Sequence, residues 1–252
     1  MVRGIHHNAL NWSLFSRLGH RGRHILASVR KKMKVSRETA GVLRYEFEMI
    51  WLNLHNAVSV NHSRKLRAAV AQDNIRLNIG CGSDVLDGWI NIDSFAPSIN
   101  AANVLLLDLR APLPFRDGSV ACVYTEHFLE HLDRYDHGKQ LLREIHRVLR
   151  PGGVVRVIVP DGRKLLEAYF DQAHPLRAAF PEAGNWMDFI NVIARGGHKY
   201  LYDANVLLSD LREAGFSQFD ECQAGEGKHP DVLLDNPDAQ RRAFSLYVEA
   251  LK

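Results

Sequence analysis

An α/β fold built on an open, mainly parallel sheet is what this sequence predicts, and three observations predict it. From residue 75 onward, short apolar runs (Ile75–Ile79, Trp89–Ile92, Asn103–Leu107, Val120–Tyr124 and Val154–Val159) end at turn residues, as strands buried on both faces do. Amphipathic helical patterns lie between the later runs, and strands alternating with helices build a parallel sheet. The first run opens directly into Gly80-Cys81-Gly82, where backbone without a Cβ turns sharply and lets a ligand approach.

The first seventy residues differ in texture. They carry 13 Lys/Arg against 3 Asp/Glu, whereas residues 71–252 carry 19 against 26. The modest overall charge of +3 therefore conceals a basic helical N-terminal extension, residues 1–70, ahead of a domain spanning 71–252. No proline precedes Pro97. Glu38–Val60 places Val42, Phe47, Ile50, Trp51 and Leu54 at the spacing of one helical face, and a shorter helix fits Trp12–Val29. Such an extension suits packing on the domain or on a second copy of it, or a basic surface for anionic lipid or a polyanionic glycan. An Arg-rich start free of acid up to Glu38 also describes a mitochondrial transit peptide, but the basic run continues past the usual length. Nucleic acid is disfavoured, because no recognised nucleic-acid motif accompanies the charge.

In the domain, Gly138–Leu149 sets Leu141, Leu142, Ile145, Val148 and Leu149 on one face and stops at Arg150-Pro151-Gly152-Gly153. Asp203–Ala214 repeats the pattern and is closed by Gly215. Phe216–Glu221 and Phe244–Ala250 read as final strands, for seven in all. With 252 residues, 46% of them apolar and 24% charged, the chain has globular composition, which excludes disordered and fibrous classes. Cys81, Cys122 and Cys222 form no CxxC pair, which excludes a cysteine-rich zinc module and fits a reducing cytoplasm. No run of 18 apolar residues suggests a membrane span.

The chemistry concentrates at strand ends. After the glycine turn, Asp93 closes the second strand (GWINID) and Asp108 follows the third (NVLLLDL). A carboxylate after the second strand suits a ribose, because it accepts hydrogen bonds from both hydroxyls. One after the third strand suits an adenine amino group, with the Leu109 N–H offered to the ring. Either aspartate alone also fits a turn cap; the ordered set of three features is the specific signal. A dinucleotide fingerprint would require glycine at position 85, where this chain has Val85.

These residues resemble the class I S-adenosylmethionine-dependent methyltransferases, in particular a bacterial branch reading LNIGCG, GWINID, LEHL and LRPGG. The likeness runs closely over 75–160 and more loosely over 198–252. It implies a Rossmann-like, seven-stranded sheet flanked by helices, with S-adenosylmethionine as cofactor. By resemblance Asn78, Gly80, Cys81 and Gly82 line the methionine and ribose side, Asp93 holds the ribose, Asp108 and Leu109 hold the adenine, and Glu126 and His127 border the sulfonium. Asn78 stands where many relatives have an acid. The Gly82–Asp93 interval is short, with room for about one helical turn.

His127-Phe128-Leu129-Glu130-His131 spells HxxEH, a zinc-peptidase pattern. Its place after a central strand of a nucleotide-binding sheet favours the LEHL helix of the family instead, with no metal assigned. Residues 173–202, rich in aromatics, are expected to cover the acceptor, although Trp186, Phe189 and Ile190 also suit simple packing on the sheet. The loop Ala224–Arg242 is a candidate further wall. His127 and His198 are the candidate bases, since neutral imidazole is available near pH 7. The resemblance implies a methyl acceptor that is a sugar, a cell-surface glycan precursor or a small metabolite, with a cytoplasmic enzyme that docks at the inner membrane face or on a partner enzyme through residues 1–70. A non-catalytic module of the same fold is the alternative.

Overall fold

The structure is a computed structural model and describes residues 36–94, 104–195 and 197–252. The helix expected over Trp12–Val29 lies outside them. Seven strands form one sheet in the order β3-β2-β1-β4-β5-β7-β6. β1 is Ile75–Ile79, β2 Ile90–Asp93, β3 Val104–Leu106, β4 Val120–Glu126, β5 Leu149–Pro160, β6 Gln218–Cys222 and β7 Ser245–Leu251. The first five are parallel, and β7 inserts antiparallel between β5 and β6. This is the Rossmann-like arrangement expected. Strand order reverses between β1 and β4, so the crevice lies beyond their carboxyl ends.

Burial follows the sequence pattern. Apart from Arg76, β1 is buried along its whole length, and β2 is buried throughout, which is why both read as continuous apolar runs. β6, at the sheet edge, is half-buried to exposed and carries Asp220 and Glu221, charges that discourage pairing with another chain. β5 begins earlier than expected: residues 149–153 stay in the ladder although Pro151 and the two glycines read as a stop, because Gly152 N–H donates to Lys252 O and Lys252 N–H to Gly153 O, both at 3.0 Å.

Eight helices of the described residues flank the sheet. The expected Glu38–Val60 helix is two, α1 (Arg37–Val58) and α2 (Val60–Val70). Ser59 ends the first and caps the second, its hydroxyl accepting from His62 N–H at 3.2 Å. The face of α1 that turns inward also differs from the expected stripe. Met49 and Leu52 are buried, while Phe47 and Leu54 are 70% and 65% exposed and Val42, Ile50 and Trp51 are exposed with them. The cause is polar: Asn53 and Asn56 bond to the domain, at Asp108 Oδ2 (3.2 Å) and Leu106 O (2.9 Å), and a helix can aim only one side at its neighbour.

α3 (Lys139–Val148) buries Leu141, Leu142, Ile145 and Val148, each worth about 1.5–3 kcal/mol of apolar transfer. α4 (Gly162–Phe170) follows β5, and Asp161 caps it by accepting from Arg163 N–H at 2.9 Å. α5 (Pro175–Ala179) and α6 (Trp186–Arg195) belong to the expected cover. Trp186 and Phe189 are buried there, but against α4 and Phe180 rather than the sheet. α7 (Ala204–Ala214) has Asp203 as its N-cap, accepting from Val206 N–H at 2.8 Å. Its end is Gly215 at φ 111°, a left-handed position that favours glycine. α8 is Ala239–Phe244. No helix among the described residues is long and apolar enough to cross a membrane.

Candidate functional site

Parallel pairing gathers the expected residues at one end of the sheet. Ile79 pairs with Ile92, and Asp93 with Leu106, so the glycine turn, Asp93 and Asp108 leave three neighbouring strands on the same side. Gly80 N–H and Cys81 N–H both donate to Ile92 O, at 2.8 and 3.1 Å, folding the turn over the end of β2. Gly82 N–H donates to Asp93 Oδ2 at 2.7 Å. Gly80 and Gly82 have φ of 72° and 49°, backbone that glycine adopts without strain. A Cβ on Gly82 would meet nothing within 4 Å, whereas one on Gly80 would lie 2.1 Å from Phe128 Cγ. The turn is thus open beside Gly82 and closed over Gly80. An open glycine cradle beside a buried carboxylate is a donor and acceptor set that fits a ribose-bearing cofactor.

Asp108 is held rather than free. Arg110 donates to it through its backbone N–H (3.1 Å), Nε (2.9 Å) and Nη2 (2.9 Å), and Asn53 adds a fourth bond. Burial alone would raise the carboxyl; these bonds and the guanidinium charge outweigh it and hold it below its ordinary value. Arg110 also reaches Glu46, and stacks on Tyr45, whose ring lies 5.3 Å from Lys199 Nζ. The boundary expected at residue 70 therefore separates sequence textures, while Tyr45, Glu46 and Asn53 of α1 take part in the surroundings of Asp108. Leu109 buries its side chain in the main core.

Two expected lining residues are committed to internal bonds. Asn78 Nδ2 donates to Asp84 O (2.8 Å) and Asn91 Oδ1 (2.9 Å), fixing the segment between Gly82 and β2. No helical turn forms there; Asn91 clamps it through Leu86 N–H, at 2.8 Å. Glu126 Oε2 accepts from Tyr124 Oη (2.6 Å) and Asn236 N–H (3.4 Å), and burial raises its carboxyl. Asn236 and Arg241 also bond Asp84 Oδ2, at 3.2 and 3.0 Å, so the 224–242 segment does wall this end of the sheet. Burial pushes the Cys81 thiol up to about 12 and leaves it protonated at neutral pH.

The LEHL segment is not the helix the sequence suggested. Leu129–His131 is a single 3₁₀ turn, and Arg134–Gly138 a π-helical turn leading into α3. His127 has φ 51°, a strained conformation for a non-glycine residue. As a result Glu130, His131 and His198 converge, with one ligand atom of each lying within 4.8 Å of the others. Glu130 is fully buried and neither of its oxygens has a hydrogen-bond partner among the described residues. Its Oε1 lies 3.7 Å from His127 Nδ1 and 3.8 Å from His198 Nε2. Burial raises the Glu130 carboxyl to about 8 and lowers His127 to about 3 and His198 to about 4. All three groups are predominantly uncharged at neutral pH.

Hydrogen bonds fix two of the tautomers. The Ser245 hydroxyl donates to Arg241 O (2.6 Å) and therefore accepts from His127 Nε2–H (2.7 Å), which turns the Nδ1 lone pair toward Glu130. His131 Nδ1–H donates to Gly197 O (3.1 Å), leaving its Nε2 as the acceptor. His198 is delivered by main chain: Lys199 N–H and Tyr200 N–H donate to Glu130 O at 2.7 and 3.3 Å. The sequence singled out His127 and His198, and the HxxEH pattern flagged Glu130 and His131. Arg110 and the α1 contacts to Asp108 had no signal beyond the basic residue two places on from that aspartate.

A separate cavity of about 780 Å³ opens between α4 and α7, lined by Leu166, Phe170, His174, Tyr200 and Tyr202 among others. It adjoins the His198 segment but not the glycine turn.

Residues 77–157 match the family model described as "Methyltransferase domain". No curated protein matches the chain. Among solved structures, an S-adenosylmethionine-dependent methyltransferase of Thermotoga maritima, described as a possible histamine N-methyltransferase, is 18% identical with a TM-score of 0.47, over 84% of this chain and 96% of that one. One from Archaeoglobus fulgidus is 16% identical with a TM-score of 0.45, over 80% and 99%. One from Mesorhizobium loti is 17% identical with a TM-score of 0.44, over 77% and 99%.

Proposed function

We propose, from the match of residues 77–157 to a methyltransferase domain, that the chain is a class I S-adenosylmethionine-dependent methyltransferase and that it methylates a hydroxyl of a sugar, a cell-surface glycan precursor or a small metabolite. The observation that carries the catalytic reading is the clasp of Gly82 N–H on Asp93 Oδ2 beside open glycine backbone. Asp93 holds the ribose hydroxyls, Gly80, Cys81 and Gly82 form the turn around the cofactor, and the segment at Asp108 and Leu109 receives the adenine. Asn78 and Glu126 serve by shaping the walls. When bound, the cofactor supplies an electrophilic methyl on a cationic sulfur.

The chain's task is then alignment and exclusion of water, and alignment alone is worth about 7–11 kcal/mol in favourable cases. His127 and His198, both neutral, accept a hydrogen bond from the acceptor hydroxyl and orient its lone pair. Their depressed basicity makes them positioning acceptors more than strong proton sinks.

Asp93→Ala is expected to abolish binding of S-adenosylhomocysteine in calorimetry while the fold persists by circular dichroism. Binding equal to the unsubstituted protein rejects the assignment. The acceptor class is read by supplying cofactor with a labelled methyl together with cell extract. Label in a saccharide fraction supports the glycan reading, and label confined to free small molecules supports the metabolite. No transfer at all favours the second reading, a non-catalytic module. That reading, and a cytoplasmic protein held at the inner membrane face or on a partner enzyme, draws on the exposed apolar residues of α1, Phe47, Trp51 and Leu54 among them.

A further inference from the structure

Glu130 is the most anomalous buried group of the described residues. Its side chain has no exposed surface and its two oxygens have no hydrogen-bond partner, yet three imidazoles surround it. Buried polar atoms are nearly always satisfied, and exceptions signal a missing ion or a functional role. As they are oriented, the rings do not supply the missing donors. His127 and His131 each direct an N–H away, to Ser245 Oγ and Gly197 O, and His127 turns its Nδ1 toward Glu130 Oε1 at 3.7 Å. His198 Nδ1 is buried without a partner. A buried carboxyl without a hydrogen-bond partner among the described residues, bordered by three imidazoles, is a poor arrangement for a protein alone and a suitable one for a cation.

From this arrangement we infer that Glu130, His131 and His198 bind a first-row divalent metal ion of the zinc type. One carboxylate and two imidazoles are a donor set that suits such ions. His131 reaches the ion through Nε2, and its Nδ1–H···O=C bond to Gly197 is the outer contact that fixes a ligating imidazole. The present separations, up to 4.8 Å between ligand atoms, exceed the roughly 3.3 Å that a tetrahedral site with bonds near 2 Å requires. Closing that gap falls to the Glu130 carboxyl and the His198 ring, whose atoms have no hydrogen-bond partner among the described residues, while His131 stays tied to Gly197 O. Their backbones need not move, because Lys199 and Tyr200 are already hydrogen-bonded to Glu130 O.

Gly197 holds the other end of the His131 bond. Its φ of 95° is left-handed and favours glycine. Three protein ligands leave coordination positions open, as catalytic metal sites do, with His127 Nδ1 at their border. If methyl transfer is the reaction, those positions take an acceptor oxygen; that clause alone rests on the function proposed above. The helical HxxEH geometry of zinc peptidases is not used here, since Leu129–His131 is a 3₁₀ turn and the third ligand comes from residue 198.

The test is metal titration of the full-length, untagged protein after chelator treatment, with Zn²⁺ followed by calorimetry and Co²⁺ by visible absorption. The expected result is one tight site per chain that weakens by at least about 100-fold in His131→Ala and in His198→Ala, and that His229→Ala leaves unchanged. Glu130→Gln, which keeps the shape of the buried side chain, is expected to weaken it similarly. Zn²⁺ held elsewhere on a chain with 13 histidines survives in all of these variants and is thereby separated. Titrations of His131→Ala and His198→Ala identical to that of the unsubstituted protein overturn the inference. S-adenosylhomocysteine is titrated in parallel. Its binding without the metal site removes this inference and leaves the methyltransferase reading standing; the metal site without its binding does the reverse.

Discussion

Asp108 and Arg110 form a fork two residues apart on a loop, with Asn53 arriving from α1 to complete it. Because the carboxyl is held below its ordinary pKa of 3.8, the folded state takes up its proton at lower pH than the unfolded chain does. The contribution is fully present above the ordinary value and is lost as pH falls through the depressed one. Urea midpoints of the parent and of Asp108→Asn are therefore expected to differ at about pH 6 and to converge toward about pH 3; a constant difference contradicts the ion-pair account. Gly80 makes a second demand at this scale. Substitution by alanine places a Cβ at φ 72° and 2.1 Å from Phe128 Cγ, with a cost of at least about 1–3 kcal/mol. Gly82→Ala carries the backbone strain without the overlap. The two are expected to separate cleanly in urea titrations, Gly80→Ala being the less stable.

Among the elements, α1 shows what periodicity can and cannot decide. The spacing of Val42, Phe47, Ile50 and Trp51 identifies a helix correctly and assigns the wrong inner face, because hydrophobic content does not register that Asn53 and Asn56 have partners at Asp108 and Leu106. Leu52→Ala is accordingly expected to cost about 2–5 kcal/mol, and Leu54→Ala to stay within about 0.5 kcal/mol. The expected stripe makes the opposite assignment, so the two midpoints decide between them. Around Glu130 the motif was legible as letters, and its geometry was not. A left-handed His127 and a 3₁₀ turn replace the expected helix, and the partner at His198 is brought in by main-chain bonds 69 and 70 residues distant, which no local pattern encodes.

At the scale of the whole molecule the sheet was the most legible part, since buried parallel strands advertise themselves as apolar runs and their turn residues mark the ends. Six of the seven strands fall within two residues of the expected bounds at both ends; β5 departs because its irregular start is held by the opposite edge of β7. Less visible was Arg156, a charged residue in the middle of that strand. It is fully buried, paired at 2.6 Å with both oxygens of Asp235 and at 2.9 Å with Glu249. Burial opposes its charge, but those carboxylates prevail and it stays protonated. Arg156→Met strands two buried acids and is expected to cost about 3–5 kcal/mol, measured by urea unfolding. A loss under about 1 kcal/mol indicates that water reaches the acids when the arginine is gone.

The chain leaves the sheet at Asp161 and returns beside it at Tyr202, where Gly162 N–H donates to Tyr202 O at 2.8 Å. The roughly forty residues between them therefore begin and end at one doorway. Their length imposes no stretch on the strands, and closing a longer excursion adds only about 0.6 kcal/mol per doubling. The sheet and the excursion that starts and finishes beside it are in this sense separable parts, and the second can be exchanged wholesale while the first stays as it is.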